Sequence, residues 1–138
     1  MQDFRLAAKG FIVENGRLLI LKRSDYTKQM PGIWELPGGR LELGEDPFLG
    51  LQREVKEETG LEIETIMPLS VRHFTRVDKQ VITLIIFLCK AKTKEVSLSN
   101  EHTEFEWAEI KTARKKMSEF YLKEIELFEK FGKTLLKE

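Results

Sequence analysis

Two apolar, β-rich runs open the chain, residues 4–13 and 17–21 (RLLIL), with Glu14-Asn15-Gly16 between them. Asn-Gly tolerates the left-handed backbone angles of a two-residue turn, so the arrangement predicts a β-hairpin. Residues 24–32 are polar and end in Pro31-Gly32, which reads as a loop, and 33–36 form a short apolar piece stopped by Pro37-Gly38-Gly39. The period then changes. Asp46-Pro47 has the form of a helix start, an N-cap acceptor followed by a residue whose missing N–H costs nothing there. Phe48, Leu51 and Val55 recur at i, i+3 and i+7 and predict one buried helical face, with Gly60 as the left-handed residue that ends the helix. Gly50 inside this helix costs about 1 kcal/mol relative to alanine, and close packing is one reason for it. Residues 61–74 and 81–91 return to strand character around a turn at 75–80, and 104–110 add a shorter piece around Trp107. From Lys111 a helical period places Met117, Tyr121, Ile125, Phe128 and Phe131 on one stripe, closed by Gly132. Strands, helix, strands, helix, without repeats or linkers, predict a single α/β domain over residues 1–138, its sheet sandwiched between helices.

Composition narrows the function classes. The 138 residues carry 23 Lys and Arg against 23 Asp and Glu, a formal net charge of zero. That balance argues against a nucleic-acid scaffold, which needs a basic footprint. The single cysteine, Cys89, excludes an internal disulfide and an all-cysteine zinc site, and in its apolar run it reads as a buried small hydrophobe. His73 and His102, the two histidines, are far apart and do not read as a metal site. The longest nearly uncharged stretch is 81–89, well short of the about 20 residues a membrane helix needs. The first residues lack a basic head followed by an apolar run, so no signal peptide is expected and the localisation expected is cytoplasmic.

The chemistry concentrates in residues 39–61. Glu54, Glu57 and Glu58 fall on the predicted helix at i, i+3 and i+4, a spacing that makes carboxylates neighbours and expects them on the side opposite Phe48, Leu51 and Val55. Like charges so placed weaken a helix by a few tenths of a kcal/mol per pair, roughly, unless a cation sits among them. Hard oxygen donors suit Mg²⁺ or Mn²⁺. Arg53 stands beside them, placed to pair with Glu57 or orient Glu54 through a planar fork that lysine lacks.

These residues carry a resemblance. Gly39, Glu45, Arg53, Glu54, Val55, Glu57, Glu58, Gly60 and Leu61 fill all nine specified positions of the Nudix box, Gly-x5-Glu-x7-Arg-Glu-U-x-Glu-Glu-x-Gly-U, where U is bulky and aliphatic. Trp34-Glu35-Leu36-Pro37-Gly38-Gly39 resembles the usual lead-in, and the elements fall in the family's order over essentially the whole chain. The resemblance implies an α/β/α sandwich with a mixed sheet, in which the box is a loop–helix–loop. It implies metal-dependent hydrolysis of a nucleoside diphosphate derivative, with water attacking phosphorus. By motif position it implies Glu54, Glu57, Glu58 and the Gly38 carbonyl as metal ligands and Mg²⁺ or Mn²⁺ as the cofactor. Glu54 becomes the candidate general base, oriented by Arg53, and Gly39, Glu45 and Gly60 become structural positions of the box.

Outside the box the resemblance implies a glutamate in the loop before Trp107 that reaches the metal or acts as base. Glu101 fits best, with Glu104 as the alternative. Arg23 at a strand end and Trp34 are candidate substrate contacts, while Arg5, Lys9, Arg72 and Arg76 are weaker ones and Arg114-Lys115-Lys116 reads as a solvated helix end. Residues 42–58 hold six acids and two bases, a local charge of −4. Residues 1–30 hold six bases and three acids, a local +3, so a basic edge facing phosphates is expected beside the carboxylates. The short chain resembles the MutT-like branch, which implies a (deoxy)nucleoside triphosphate cleaved to monophosphate and diphosphate. ADP-ribose or another nucleotide sugar is the alternative substrate, and a non-catalytic nucleotide-binding module the alternative class. The expected partner is a small nucleotide, with no nucleic-acid polymer and no membrane, and the chain is expected to act as a monomer or homodimer.

Overall fold

The computed structural model describes residues 3–27 and 30–136. Lys28, one of the bases counted in the N-terminal stretch, and part of the loop expected over 24–32 lie outside the described residues.

Strands β1 (Phe4–Glu14) and β2 (Arg17–Arg23) form the expected hairpin, and Asn15 and Gly16 hold it with φ of 50° and 73°. The hairpin zips only next to its turn, at Val13 with Leu18 and Glu14 with Arg17. Beyond that the strands part, and the chain from Trp34 to Arg40 fills the fork. Strand β3 (Trp34–Glu35) pairs with Leu21 and Lys22 of β2, and β4 (Gly38–Arg40) pairs with Ala7, Ala8 and Lys9 of β1. The Gly10 N–H donates to Pro37 O at 2.9 Å, closing the base of the fork. The sequence reading made residues 37–39 a stop rather than a strand. Gly-Gly-Arg has little strand propensity of its own, and the fork supplies the partners that make it one.

The other edge of β1 runs parallel to β6 (Val81–Ala91), from Phe4 with Val81 to Val13 with Lys90. Strand β5 (Ile63–Thr75) adds antiparallel to β6, and β7 (His102–Glu109) antiparallel to β2, giving a mixed seven-stranded sheet.

Both faces of the sheet are covered. Helix α1 (Pro47–Thr59) buries Leu51 and Val55 against Ala8, Ile12, Leu19, Leu21 and Phe87. On the other face Ala113 of α2 (Ile110–Lys116), Met117, Tyr121, Ile125 of α3 (Leu122–Leu127), Phe128 and Leu136 of α4 (Lys133–Leu136) pack on Phe11, Ile20, Leu84 and Ile86. The result is the expected α/β/α sandwich. Among the described residues no helix is long and apolar enough to cross a membrane.

The C-terminal stripe is less regular than its period predicts. Met117 is extended (φ −76°, ψ 155°) and bridges to Trp34, so α2 ends there, and a 3₁₀ turn at Glu119–Tyr121 restarts the chain under the Ser118 hydroxyl. Gly132 does not end the helix. The coil widens into a π turn over Phe128–Gly132 and continues to Leu136. A Cβ on Gly132 would overlap the Phe128 ring (2.7 Å from Cε1), so glycine stands there to let that ring into the core. Phe131, expected on the same stripe, is 56% exposed.

Candidate active site

Helix α1 starts where the sequence placed it. Asp46 Oδ1 accepts from the N–H groups of Phe48 (2.8 Å) and Leu49 (3.2 Å), and Pro47 follows at the first helical position. Gly60, at φ 75°, ends the helix by donating to Lys56 O. Gly50 is a packing glycine: a Cβ there would lie 2.6 Å from Leu41 Cδ2 and 2.9 Å from the Glu45 carboxyl group. Glu45 in turn is the anchor of Arg53. It accepts from Nε at 2.7 Å and Nη2 at 2.9 Å, while Nη1 reaches Glu57 at 3.1 Å and Nη2 reaches Glu54 at 3.3 Å. The Arg53 hydrogen bonds, with one from the Glu42 N–H, hold the Glu45 carboxyl at about 2.

One expectation about this helix is corrected. The three glutamates do not share the side opposite Leu51 and Val55. At about 100° per residue Glu58 lies close to Leu51 around the helix, and it is 5% exposed, whereas Phe48 is 47% exposed and covers the edge of the Phe87 ring (centroids 5.0 Å apart). The carboxylates therefore fan from buried Glu58, through half-buried Glu54, to exposed Glu57.

That fan meets the fork. The Gly38 N–H donates to Glu58 Oε1 at 2.9 Å. A Cβ on Gly39 would stand 3.5 Å from Glu54 Oε2, so the second carboxylate lies against the second glycine. Gly38 has φ 128°, and a Cβ there would overlap Ala8 O and come within 2.7 Å of Lys9 Cα. Only glycine fits at the crossing.

The loop before β7 hangs from the end of α1, with Ser97 N–H bonding Thr59 O (2.8 Å) and Ser99 N–H bonding Glu58 O (3.1 Å). It brings Glu101 close enough that its charge acts on both Glu54 and Glu58. Burial pushes the Glu58 carboxyl up to about 8. Lys9 and the Gly38 N–H oppose this, and the charges of Glu54 and Glu101 add to it. Burial raises Glu54 as well, against Arg53 and with Glu57 and Glu101. Glu104 is elsewhere, in β7, where it pairs with Lys22 at 3.3 Å.

Among the described residues no three carboxylate, imidazole or thiol side chains close into a ready-made metal cage. The donor set nonetheless fits a hard divalent cation: only oxygens, two of its carboxylates, Glu54 and Glu58, being held above their usual range by burial and by neighbouring acid charge. Mg²⁺ usually keeps several waters and shares its sphere with substrate phosphates, so an open cluster is what it takes.

The basic edge expected beside the carboxylates does not stand free. Lys9 and Arg23 both turn onto Glu35, Arg17 pairs with Glu109, and Arg5 donates to Leu41 O. Arg72 is held by Glu124 and Phe120 O and lies 4.2 Å over the Phe120 ring, and Arg76 pairs with Asp78. Trp34 packs half-buried on the face of the C-terminal helices, with Lys116 Nζ 4.8 Å above its ring. Cys89 is buried, and burial lifts its thiol to about 12. Glu35, Lys9 and His102 were missed as a group. The alternation of Lys9 along its strand and the place of Glu35 before Leu36-Pro37 were the only signals, and neither indicates a fork.

A family model described as NUDIX domain matches residues 3–128. A "MutT-like protein" of Streptomyces ambofaciens is 38% identical over 120 residues, covering 84% of this chain and 71% of that protein. A "Nucleoside triphosphatase NudI" of Escherichia fergusonii is 35% identical over 106 residues, covering 70% of this chain and 75% of that one. Among solved structures, the MutT protein from Methanosarcina mazei Go1 superposes with a TM-score of 0.84 at 26% identity, over 96% of this chain and 97% of that one. With its box helix, its glycine crossing and these relatives, the chain belongs to the Nudix hydrolase family.

Proposed function

We propose that the chain hydrolyses a (deoxy)nucleoside triphosphate to the monophosphate and diphosphate, using Mg²⁺ or Mn²⁺, in the cytoplasm. The observation that carries this reading is the meeting of two carboxylates with two glycines: Glu58 on Gly38 and Glu54 on Gly39. The likeness to a nucleoside triphosphatase supports the triphosphate as substrate.

In this reading Glu54, Glu57, Glu58 and the Gly38 carbonyl hold the cation, with Glu101 beside them. A bound divalent cation would neutralise the anhydride's charge, align its phosphates and make a water more acidic. Water oxygen forms the new bond to the α- or the β-phosphorus, the P–O bond that bridges them breaks, and the leaving group, diphosphate or nucleoside monophosphate respectively, departs with the bridging oxygen. Glu54 accepts the water's proton. Arg53 keeps Glu54 and Glu57 in place through the Glu45 anchor. Arg23 meets the phosphates at the mouth of the fork, and Trp34 contributes to holding the nucleoside.

The test is a panel of nucleoside triphosphates, deoxynucleoside triphosphates, ADP-ribose and nucleotide sugars, with products identified. Mg²⁺-dependent release of diphosphate from a triphosphate, lost in Glu54→Gln and Glu58→Gln, is expected. Release only from ADP-ribose or a sugar nucleotide would reassign the substrate, and no release from any member would overturn the reading.

A further inference from the structure

One buried carboxylate in the fork gathers the polar ends of three strands. Glu35 is 5% exposed. Its Oε1 accepts from Lys9 Nζ of β1 at 3.2 Å. Its Oε2 accepts from Arg23 Nη1 of β2 at 3.0 Å and from His102 Nε2 of β7 at 2.9 Å. Lys9 Nζ also donates to Leu36 O at 2.9 Å, next to the Pro37-Gly38 crossing. Burial opposes the Glu35 charge, but Lys9, His102 and Arg23 overcome it and bring the carboxyl down to about 2.

A stable fold does not demand this cluster. Well-packed apolar side chains commonly do as well as a buried ion group, which must first lose its water. What the cluster adds is geometry. Ser24 N–H, next to Arg23, donates to Glu101 O at 2.8 Å, and His102 follows Glu101 directly. The turn carrying Glu101 is thus clamped twice, by Ser99 on the end of α1 and by His102 and Ser24 on the Glu35 side.

We propose that Glu35 is a positioning residue for the hydrolysis, fixing Arg23 and the Glu101 turn against the Gly38 crossing without itself touching substrate. The proposal rests on the hydrolase reading above. Arg23 gains a defined direction from a carboxylate that reaches it across the fork, and Glu101 keeps its distance from Glu54 and Glu58 because its backbone is pinned on both sides. Residues that orient others in this way typically carry about 10–100-fold of activity.

The experiment compares Glu35→Gln, Arg23→Ala and the double variant in kcat and KM, below their melting temperatures. Amide exchange at Ser24 is read in parallel against the core amide of Leu88. The amide side chain fills the same space but presents hydrogens to Arg23 or Lys9 in place of one oxygen. The result expected is a fall of about 10–100-fold in kcat/KM for Glu35→Gln. The double variant should be worse than Arg23→Ala alone, because the Glu101 turn is released as well, but by less than the product of the two single effects, because Glu35 then has no Arg23 to fix, and Ser24 should exchange faster while Leu88 does not. Wild-type kcat/KM in Glu35→Gln, effects that multiply in the double variant, or unchanged Ser24 exchange would each overturn the proposal. If Glu35→Gln fails to fold, His102→Gln, which leaves the Lys9 and Arg23 pairs in place, is read by the same Ser24 exchange and kcat/KM. If the wild type turns over no substrate, the hydrolase reading fails by itself, and Ser24 exchange still decides whether Glu35 holds the turn.

Discussion

The Gly38 N–H donates to Glu58 Oε1 across 2.9 Å, joining the fork of the β1–β2 hairpin to the last turn of α1. The bond satisfies one lone pair of a carboxylate that is otherwise out of water, and it fixes the depth at which the box helix sits over the sheet.

Gly38→Ala is expected to lose about 3 kcal/mol or more, or to fail to fold. The φ of 128° is open only to glycine, and the new Cβ would overlap the backbone of Ala8 and Lys9, which cannot move without breaking the β1–β6 pairing. Urea unfolding of the variant reads this, and wild-type stability would contradict it.

Glu58 sets a pH dependence opposite to that of an ordinary ion-paired carboxylate. Its pKa is about 4.5 in the unfolded chain and about 8 in the fold, so between these values the folded protein holds more protons. Stability of the cation-free protein should therefore fall as pH rises from 4.5 to 8, by on the order of a few kcal/mol. Mg²⁺ should restore it more at pH 8 than at pH 5.5, since ligation needs the carboxylate. Melting curves with chelator and with Mg²⁺ at the two pH values test both signs. Glu35, lowered to about 2, acts in a separate window: its contribution is present above 4.5 and is lost as pH falls toward 2.

Arg53→Lys keeps the charge and loses the fork. Lysine cannot hold both Glu45 oxygens while reaching Glu54 and Glu57, so kcat should fall about 10–100-fold with little change in melting temperature. A variant with wild-type kcat would remove Arg53 from the orienting role.

Gly50→Ala reverses the usual helix rule. Alanine should gain about 1 kcal/mol in the helix interior. Its methyl group would instead press on Leu41 and on the Glu45 carboxyl group that anchors Arg53, and overpacking of this kind costs about 1–3 kcal/mol. Net destabilisation in urea, with a loss of activity larger than that of an exposed helix substitution such as Gln52→Ala, is the outcome expected.

Much of this was legible from local chemistry. Asn15-Gly16, Asp46-Pro47 and Gly60 are residues whose own backbone preferences make the structure, and each does what its preference predicts. Other features depend on what surrounds them. Gly38–Arg40 is a strand because β1, where it parts from β2, leaves it Ala7, Ala8 and Lys9 as partners. Glu58 is buried because 3.6 residues per turn carry it toward Leu51, a step that reading the glutamates as one charged group obscured. Gly132 looked like a terminus and is a contact for Phe128, which no periodicity encodes. The Glu35 cluster was invisible for the same reason. Its members come from positions 9, 23, 35 and 102, and only the splaying of one hairpin brings them together.

The parallel pairing of β1 with β6 has a consequence for the chain's synthesis. Every partner in that ladder is 77 residues away (Phe4 with Val81, Val13 with Lys90). Strand β1 leaves a ribosome before β6 and therefore waits, an apolar segment with the hydrogen bonds of one edge unmade, until its partner has followed it. Folding limited by such distant pairing is slow, and the interval before β6 arrives is when this protein would most need a chaperone.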